Sequence, residues 1–182
     1  MKRRSLIIII VLIILGVGGV VAVKWFKTKP VVIENSASYL TLTLPEVEGD
    51  DLPALYTCDG EDINPALEWS GVPAGAKSLV LTVTDVSVKN SPFTHWLVWT
   101  IAPKDGSVRA GNLPIGANTG TGSSGRVGYV GPCPKGEEHN YVFKISALDT
   151  ILDLPVSTTL SELEIAILGH VLQTDEVTVN YE

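Results

Sequence analysis

The sequence predicts a mostly β domain with one helix near its C-terminus, preceded by an N-terminal membrane helix. Three observations support this fold class. Residues 39–182 contain short segments in which apolar and polar residues alternate, separated by clusters of Gly, Pro, Asn and Asp. Residues 159–169 contain start and stop signals for one helix, and residues 6–23 contain no charged residue. The chain length allows one globular domain.

The uncharged run Leu6–Val23 predicts a membrane anchor. At 1.5 Å per residue the run spans about 27 Å, which matches the apolar core of a bilayer. A cleavable signal peptide is the alternative, but the end of the run matches a small-residue cleavage site poorly. We therefore predict an anchor over residues 1–27, a linker over 28–38 and the domain over 39–182.

The basic residues around this run predict that the domain lies outside the cytoplasm. Three flank each end: Lys2, Arg3 and Arg4 before it, and Lys24, Lys27 and Lys29 after it. The α-amino group adds positive charge to the N-terminal flank, which favours a cytoplasmic N-terminus. No cysteine precedes Cys58, so this interpretation excludes a lipid-modified N-terminal cysteine.

Five segments have the pattern of strands. Some alternate and others are largely apolar: Tyr39–Leu44, Ser78–Asp85, Thr94–Ile101, Tyr141–Leu148 and Glu176–Tyr181. The helix is predicted to follow Thr159, because Thr159 and Glu162 have the spacing of a capping box and Gly169 is a natural stop. The Gly- and Pro-rich segment 102–139 is predicted to be mostly loop, and its length indicates that it builds a site.

The charge distribution excludes nucleic-acid binding. Residues 1–30 carry six Lys and Arg and no acid, whereas residues 31–182 carry seven bases and all 20 acids, a formal charge of −13. Lys and Arg side chains that neutralise phosphates supply most of the affinity of proteins for DNA and RNA. A domain this acidic, with no basic stretch, does not provide them.

The sequence does not match three motifs for catalysis or metal binding. Residues 120–127 resemble a phosphate-binding P-loop, but Arg126 and Val127 stand where that motif needs Lys and then Ser or Thr. The chain has no G-x-S-x-G motif of a serine hydrolase. The His and Cys residues lack the C-x-x-C or H-x-x-x-H spacing of a zinc site. We expect no metal and no cofactor.

Four polar residues lie at the ends of predicted strands. Asp85 ends one strand, His95 begins another, and His139 and Tyr141 begin a third directly after the Gly-rich run 128–136. Two imidazoles, a phenol and exposed backbone N–H groups are suited to binding a small anion. The alternative is that these are unrelated polar residues in loops, and the spacing alone does not decide between the two.

Several blocks in the same order resemble the bacterial and archaeal branch of the phosphatidylethanolamine-binding protein (PEBP) family, also called Raf-kinase-inhibitor-like proteins. The resemblance covers about residues 40–182. The blocks are YTCDG at 56–60, NPAL at 64–67 with Trp69, GVPAGAKS at 71–78, FTHW at 93–96, GYVGPCP at 128–134, ALD at 147–149 and GH at 169–170. Two blocks differ from the family pattern: D-P-D-x-P reads DVSVK at 85–89, and G-x-x-H-R-Y reads GEEHNY at 136–141.

The resemblance implies a large central antiparallel sheet packed on a smaller sheet, with one or two short helices near the C-terminus. It also implies a non-catalytic domain that binds a phosphate-bearing small molecule or a phospholipid head group. The residues that match the family's anion pocket are Asp85, His95, His139 and Tyr141, and the Gly131 region is expected to add backbone N–H donors for the ligand. The first alternative is a protein-interaction module that inhibits a protease or a kinase through the Gly-rich pocket loop. An unrecognised hydrolase is the second alternative.

The two cysteines, Cys58 and Cys133, are predicted to form a disulfide. Their number is even, and disulfides persist outside the cytoplasm. Each lies in a loop block beside the proposed pocket, so a bond would hold the Gly-rich wall in place. The alternative is two free thiols.

Overall fold

The computed structural model describes residues 39–89 and 91–182, which form two antiparallel sheets. The small sheet has the order β1-β2-β5, with β1 at Thr41–Thr43, β2 at Leu67–Ser70 and β5 at Gly106–Val108. The large sheet has the order β6-β4-β3-β7-β8. Its strands are β3 (Ser78–Asp85), β4 (Phe93–Ile101), β6 (Asn118–Thr119), β7 (His139–Leu148) and β8 (Val171–Tyr181). A single 3₁₀ turn, Ala54–Tyr56, and one helix, α1 (Leu160–Ile167), complete the described elements.

The central strands of the large sheet are apolar because both of their faces are covered. On β3, Leu79, Leu81 and Val83 belong to a main core shared with the small sheet, whereas Val80 belongs to a second core that includes Leu163 of α1. Strand side chains alternate between faces, so a strand buried on both sides has an almost continuous apolar sequence. The largely apolar pattern of residues 78–85 follows from this position.

The helix begins and ends where the sequence predicts. The Thr159 side chain accepts a hydrogen bond from the backbone N–H of Glu162, and the Glu162 carboxylate accepts one from the backbone N–H of Thr159. The carboxylate also accepts from the Thr159 hydroxyl. Gly169 has φ +82°, a left-handed conformation that glycine adopts without strain.

The fold-class prediction is wrong in one part and is corrected here. No helix within residues 39–89 and 91–182 is long and apolar enough to cross a membrane, and the fold class that these residues support is a mostly β domain. The predicted span, Leu6–Val23, lies outside the described residues, as do the predicted anchor over 1–27 and the linker over 28–38.

Candidate functional site

One cavity of about 220 Å³ brings together the five residues predicted to contact a ligand. Asp85, His95, Gly131, His139 and Tyr141 all line it, together with the apolar residues Val88, Phe93, Val130 and Pro134 and the disulfide residue Cys133. The sheet order explains this convergence. Strand β3 lies between β4 and β7 and runs antiparallel to both, so its last residue, Asp85, pairs with Phe93 on β4 and with Tyr141 on β7.

His139 and Asp85 form the main polar contact of the cavity. His139 Nδ1 lies 2.6 Å from Asp85 Oδ2, and 6% of the Asp85 side chain is exposed against 23% of the His139 side chain. The other carboxylate oxygen, Oδ1, accepts a hydrogen bond from the backbone N–H of Ser87 at 2.9 Å. A carboxylate only accepts, so Nδ1 carries the hydrogen, and Nε2 of this half-buried ring is left for a ligand.

His95 has a different hydrogen-bonding state from His139. Its ring is 4% exposed, and its Nδ1 lies 2.6 Å from the carbonyl oxygen of Val130. A carbonyl cannot donate, so Nδ1 must carry the hydrogen. Burial lowers the pKa of His95 below its ordinary value of 6.5, although the Val130 carbonyl and the charge of Asp85 act in the opposite direction. The ring is therefore neutral at pH 7, and its Nε2 is an acceptor with no partner among the described residues.

Tyr141 completes the polar floor of the cavity. Its ring is almost fully buried and packs parallel to His139 and edge-on to His95. Burial raises the pKa of Tyr141, and the charge of Asp85 adds to this effect, so its hydroxyl stays protonated at neutral pH. The hydroxyl can donate to a ligand oxygen or accept from a ligand donor.

The Gly-rich run predicts that the backbone N–H of Gly131 donates to a ligand, but the structure gives this group another partner. The Gly131 N–H already donates to Asp62 Oδ1 at 2.5 Å, so it is not free to bind a ligand. A Cβ atom on Gly131 would lie 2.7 Å from the Tyr56 carbonyl oxygen and 2.8 Å from Thr57 Cα. Glycine at this position lets the cavity wall approach the loop that contains Thr57 and Asp62.

The predicted disulfide is present and forms part of the same wall. Cys58 and Cys133 are bonded, with their Cα atoms 5.4 Å apart, and the backbone N–H of Cys58 donates to the Pro132 carbonyl at 2.9 Å. Cys133 lines the cavity. The bond therefore joins the wall that contains Gly131 to the loop behind it.

Within residues 39–89 and 91–182, no cluster of three or more His, Cys, Asp or Glu side chains is arranged to bind a metal ion. The chemistry that the cavity offers is hydrogen bonding by two imidazoles and a phenol around one buried carboxylate.

Comparison with known proteins identifies the family. The family model described as phosphatidylethanolamine-binding protein matches residues 45–182. The chain belongs to this family. A UPF0098 protein from Pyrococcus horikoshii is 38% identical over all of this chain and 90% of its own. The crystal structure of a candidate PEBP homologue from Chlamydia trachomatis has a TM-score of 0.75 and 34% identity, covering 80% of this chain and 98% of that one. A protein from Mycobacterium tuberculosis named as a candidate lipoprotein is 38% identical over 68% of this chain and 63% of its own.

Two of the positions at which this PEBP domain departs from the family pattern, Ser87 and Asn140, contact each other. The backbone N–H of Asn140 donates to Ser87 Oγ at 2.9 Å, and the Asn140 side-chain amide lies 3.4 Å from the same oxygen. A neutral hydrogen-bonded pair thus stands where the pattern has Asp and Arg. These two replacements remove one negative and one positive charge together, so they leave the net charge unchanged.

The sequence analysis did not find Asp62, which organises the wall of this PEBP cavity. Asp62 accepts from the Gly131 backbone through Oδ1 and from Arg126 Nη1 through Oδ2 at 3.1 Å. It has φ +56°, a left-handed conformation that is uncommon outside glycine. No local pattern indicates this role, because Asp62 and Gly131 are 69 residues apart in the chain.

The buried neutral His95 predicts a loss of stability in acid. The unfolded chain takes up a proton on this residue near pH 6.5, but the folded state takes it up only at lower pH. Below pH 6.5 the unfolded state therefore binds more protons, so the free energy of unfolding falls as the pH decreases. Urea denaturation at pH 7.5, 6.5 and 5.5 should show a smaller decrease for His95→Gln than for the unmodified protein.

The exposed His170 provides the control for this experiment. Its ring is about half exposed and lies 2.8 Å from Asp149 Oδ1, away from the cavity. His170→Gln should keep the pH dependence that burial of His95 produces. Equal slopes of unfolding free energy against pH for the unmodified protein and His95→Gln would contradict the assignment of a neutral His95.

Proposed function

We propose that this PEBP-family domain binds a small phosphate-bearing molecule or phospholipid head group in the cavity, without catalysing a reaction. The observation that carries the proposal is the His139–Asp85 pair at 2.6 Å. The carboxylate orients the imidazole, and in the protonated ring Nε2–H donates to a ligand oxygen. Tyr141 adds a protonated hydroxyl beside it. The cavity, at about 220 Å³, is smaller than typical drug-sized pockets, which favours a head group over a larger ligand.

Replacing His139 tests this proposal. We expect isothermal titration calorimetry to detect binding of phosphoethanolamine by the unmodified protein and a roughly 10- to 100-fold weaker affinity for His139→Ala. This range corresponds to one lost hydrogen bond to a charged group. The Asp85 carboxylate would also lose its partner in this variant.

His170→Ala is the matched control, since it breaks a similar His–Asp contact, 2.8 Å from Asp149, outside the cavity lining. This variant should bind phosphoethanolamine as tightly as the unmodified protein. Absence of binding by the unmodified protein, or equal affinities for it and His139→Ala, would contradict the proposal.

We also infer that the domain works outside the cytoplasm. Cys58 and Cys133, the two cysteines of the chain, are joined, and structural disulfides are rare in cytosolic proteins. The candidate-lipoprotein name of the relative from Mycobacterium tuberculosis is consistent with association with a cell envelope. Both observations support a location of the domain outside the cytoplasm.

A second candidate function is inhibition of a protease or kinase, and exposed apolar side chains favour it. Ile115 is 99% exposed, and Leu113 and Val127 are also exposed. All three lie in the Gly-rich segment that ends at the cavity wall. Exposed apolar residues on a loop are suited to contact with another protein. This function predicts that Ile115→Asp abolishes inhibition while binding of phosphoethanolamine stays unchanged, the reverse of the pattern expected for His139→Ala.

A further inference from the structure

We propose that the cavity selects a phosphate monoester that keeps one proton, in preference to a phosphodiester or a sulfate ester. The inference rests on the proposed function, ligand binding in this cavity, and specifies the chemical class of the ligand. It follows from the hydrogen-bonding state of His95 and from the charges around the cavity.

The first argument is the unpartnered acceptor of His95. The hydrogen bond from Nδ1 to the Val130 carbonyl, at 2.6 Å, determines which ring nitrogen carries the hydrogen. Nε2 is then a lone pair, buried and without a partner among the described residues, on a ring that lines the cavity. An anionic oxygen without a hydrogen would repel this lone pair. A P–OH group would donate to it.

The other polar groups can complete the contact with the same ligand. Tyr141 and His139 also line the cavity, so the Tyr141 hydroxyl and, in the protonated imidazole, His139 Nε2–H can donate to the remaining phosphate oxygens. The three groups together therefore match an oxyanion that donates one hydrogen bond and accepts others. A phosphodiester and a sulfate ester have no hydrogen to donate.

The second argument is the charge of the cavity. The lining contains no Lys or Arg among the described residues, and it contains one buried carboxylate, Asp85. The charges of three neighbouring groups influence the pKa of His95: those of Asp85, Asp62 and His139. Arg126, the cation that contacts Asp62, is directed to that carboxylate at 3.1 Å. A doubly charged phosphate meets little compensation here, so a ligand that retains a proton and carries a single negative charge on its phosphate is better matched.

The test compares three ligands that carry the same ethanolamine group. They are phosphoethanolamine, its methyl phosphodiester and 2-aminoethyl sulfate, titrated by calorimetry at pH 5, where about nine-tenths of a phosphate monoester keeps one proton and carries a single negative charge. All three then present a singly charged oxyanion and the same amine, so neither charge nor the amine explains a difference. We expect the monoester to bind roughly 10- to 100-fold more tightly than the other two, the effect of one buried hydrogen bond.

Two variants connect the selectivity to His95. His95→Phe removes the acceptor and should bring the three affinities to within about threefold of each other, whereas His95→Gln, which can donate to Val130 and still accept, should retain part of the preference. Equal binding of the three ligands by the unmodified protein would overturn this inference and leave the proposed function standing. Failure of all three to bind would overturn the proposed function itself, and the inference with it.

Discussion

Replacing both Cys58 and Cys133 with serine should lower the free energy of unfolding by about 2–5 kcal/mol. The bond closes a loop with a sequence separation of 75 residues, for which the chain-entropy model gives about 4.5 kcal/mol. In this chain the bond joins two segments that are otherwise held by a few hydrogen bonds, among them Cys58 N–H to the Pro132 carbonyl and Gly131 N–H to Asp62. The measurement is urea denaturation followed by tryptophan fluorescence.

The reduced form of the unmodified protein is the control, because it lacks the bond but keeps both sulfur atoms. Reduced protein and the serine variant should unfold at similar urea concentrations, and both should bind phosphoethanolamine more weakly, since Cys133 and Pro134 form part of the cavity lining. An unfolding midpoint of the serine variant equal to that of the oxidised protein would show that other contacts hold the wall.

The strands and the helix differ in how far local sequence determines them. Residues 78–85 and the capping box at Thr159 carry their own signals, and the structure places an element at each. Strand β8 instead extends from Val171, five residues before the predicted start, because β7 pairs with it along its whole length. Its residues 171–176 are at least partly exposed, so they show no buried face that a sequence pattern could reveal.

The short strands β2, β5 and β6 could not be predicted for a related reason. Strand β2 alternates buried and exposed residues over only four positions, and β6 has two residues. Segments of this length are strands because a neighbour supplies their hydrogen bonds, as β4 does for Asn118 and Thr119. Such pairing is a property of the tertiary structure.

The candidate site was predictable where it follows strand order and not where it depends on loops. In an antiparallel sheet the end of one strand meets the starts of its neighbours, so Asp85, His95, His139 and Tyr141 lie near one another. The neutral state of His95 depends on the Val130 carbonyl, which is 35 residues away in a loop. The contact between Ser87 and Asn140 likewise becomes visible only when both chain segments are in place.

The close packing around Gly131 predicts the second large loss of stability. Gly131→Ala should lower the free energy of unfolding by about 3 kcal/mol, at the upper end of the usual cost of overpacking. The added Cβ would lie 2.7 Å from the Tyr56 carbonyl oxygen, 2.8 Å from Thr57 Cα and 2.9 Å from Asp62 Oδ1. Two of these atoms belong to the backbone, in a loop that the disulfide ties to the same wall, so the loop cannot move away without straining that connection.

Two further glycine-to-alanine variants separate this contact from other effects of removing a glycine. A Cβ atom on Gly75 would contact only the end of the Leu172 side chain, at 3.6 Å. The stability of Gly75→Ala should therefore stay close to that of the unmodified protein. Gly125 has open space around it but φ +80°. Gly125→Ala should therefore lower the free energy of unfolding by about 1 kcal/mol, through backbone strain alone. Urea denaturation of the three variants should rank the losses as Gly131, then Gly125, then Gly75. A loss for Gly131→Ala no larger than that for Gly125→Ala would mean that the loop containing Thr57 and Asp62 yields to the new side chain. In that case, close packing of the cavity wall against the loop would not explain why position 131 requires glycine.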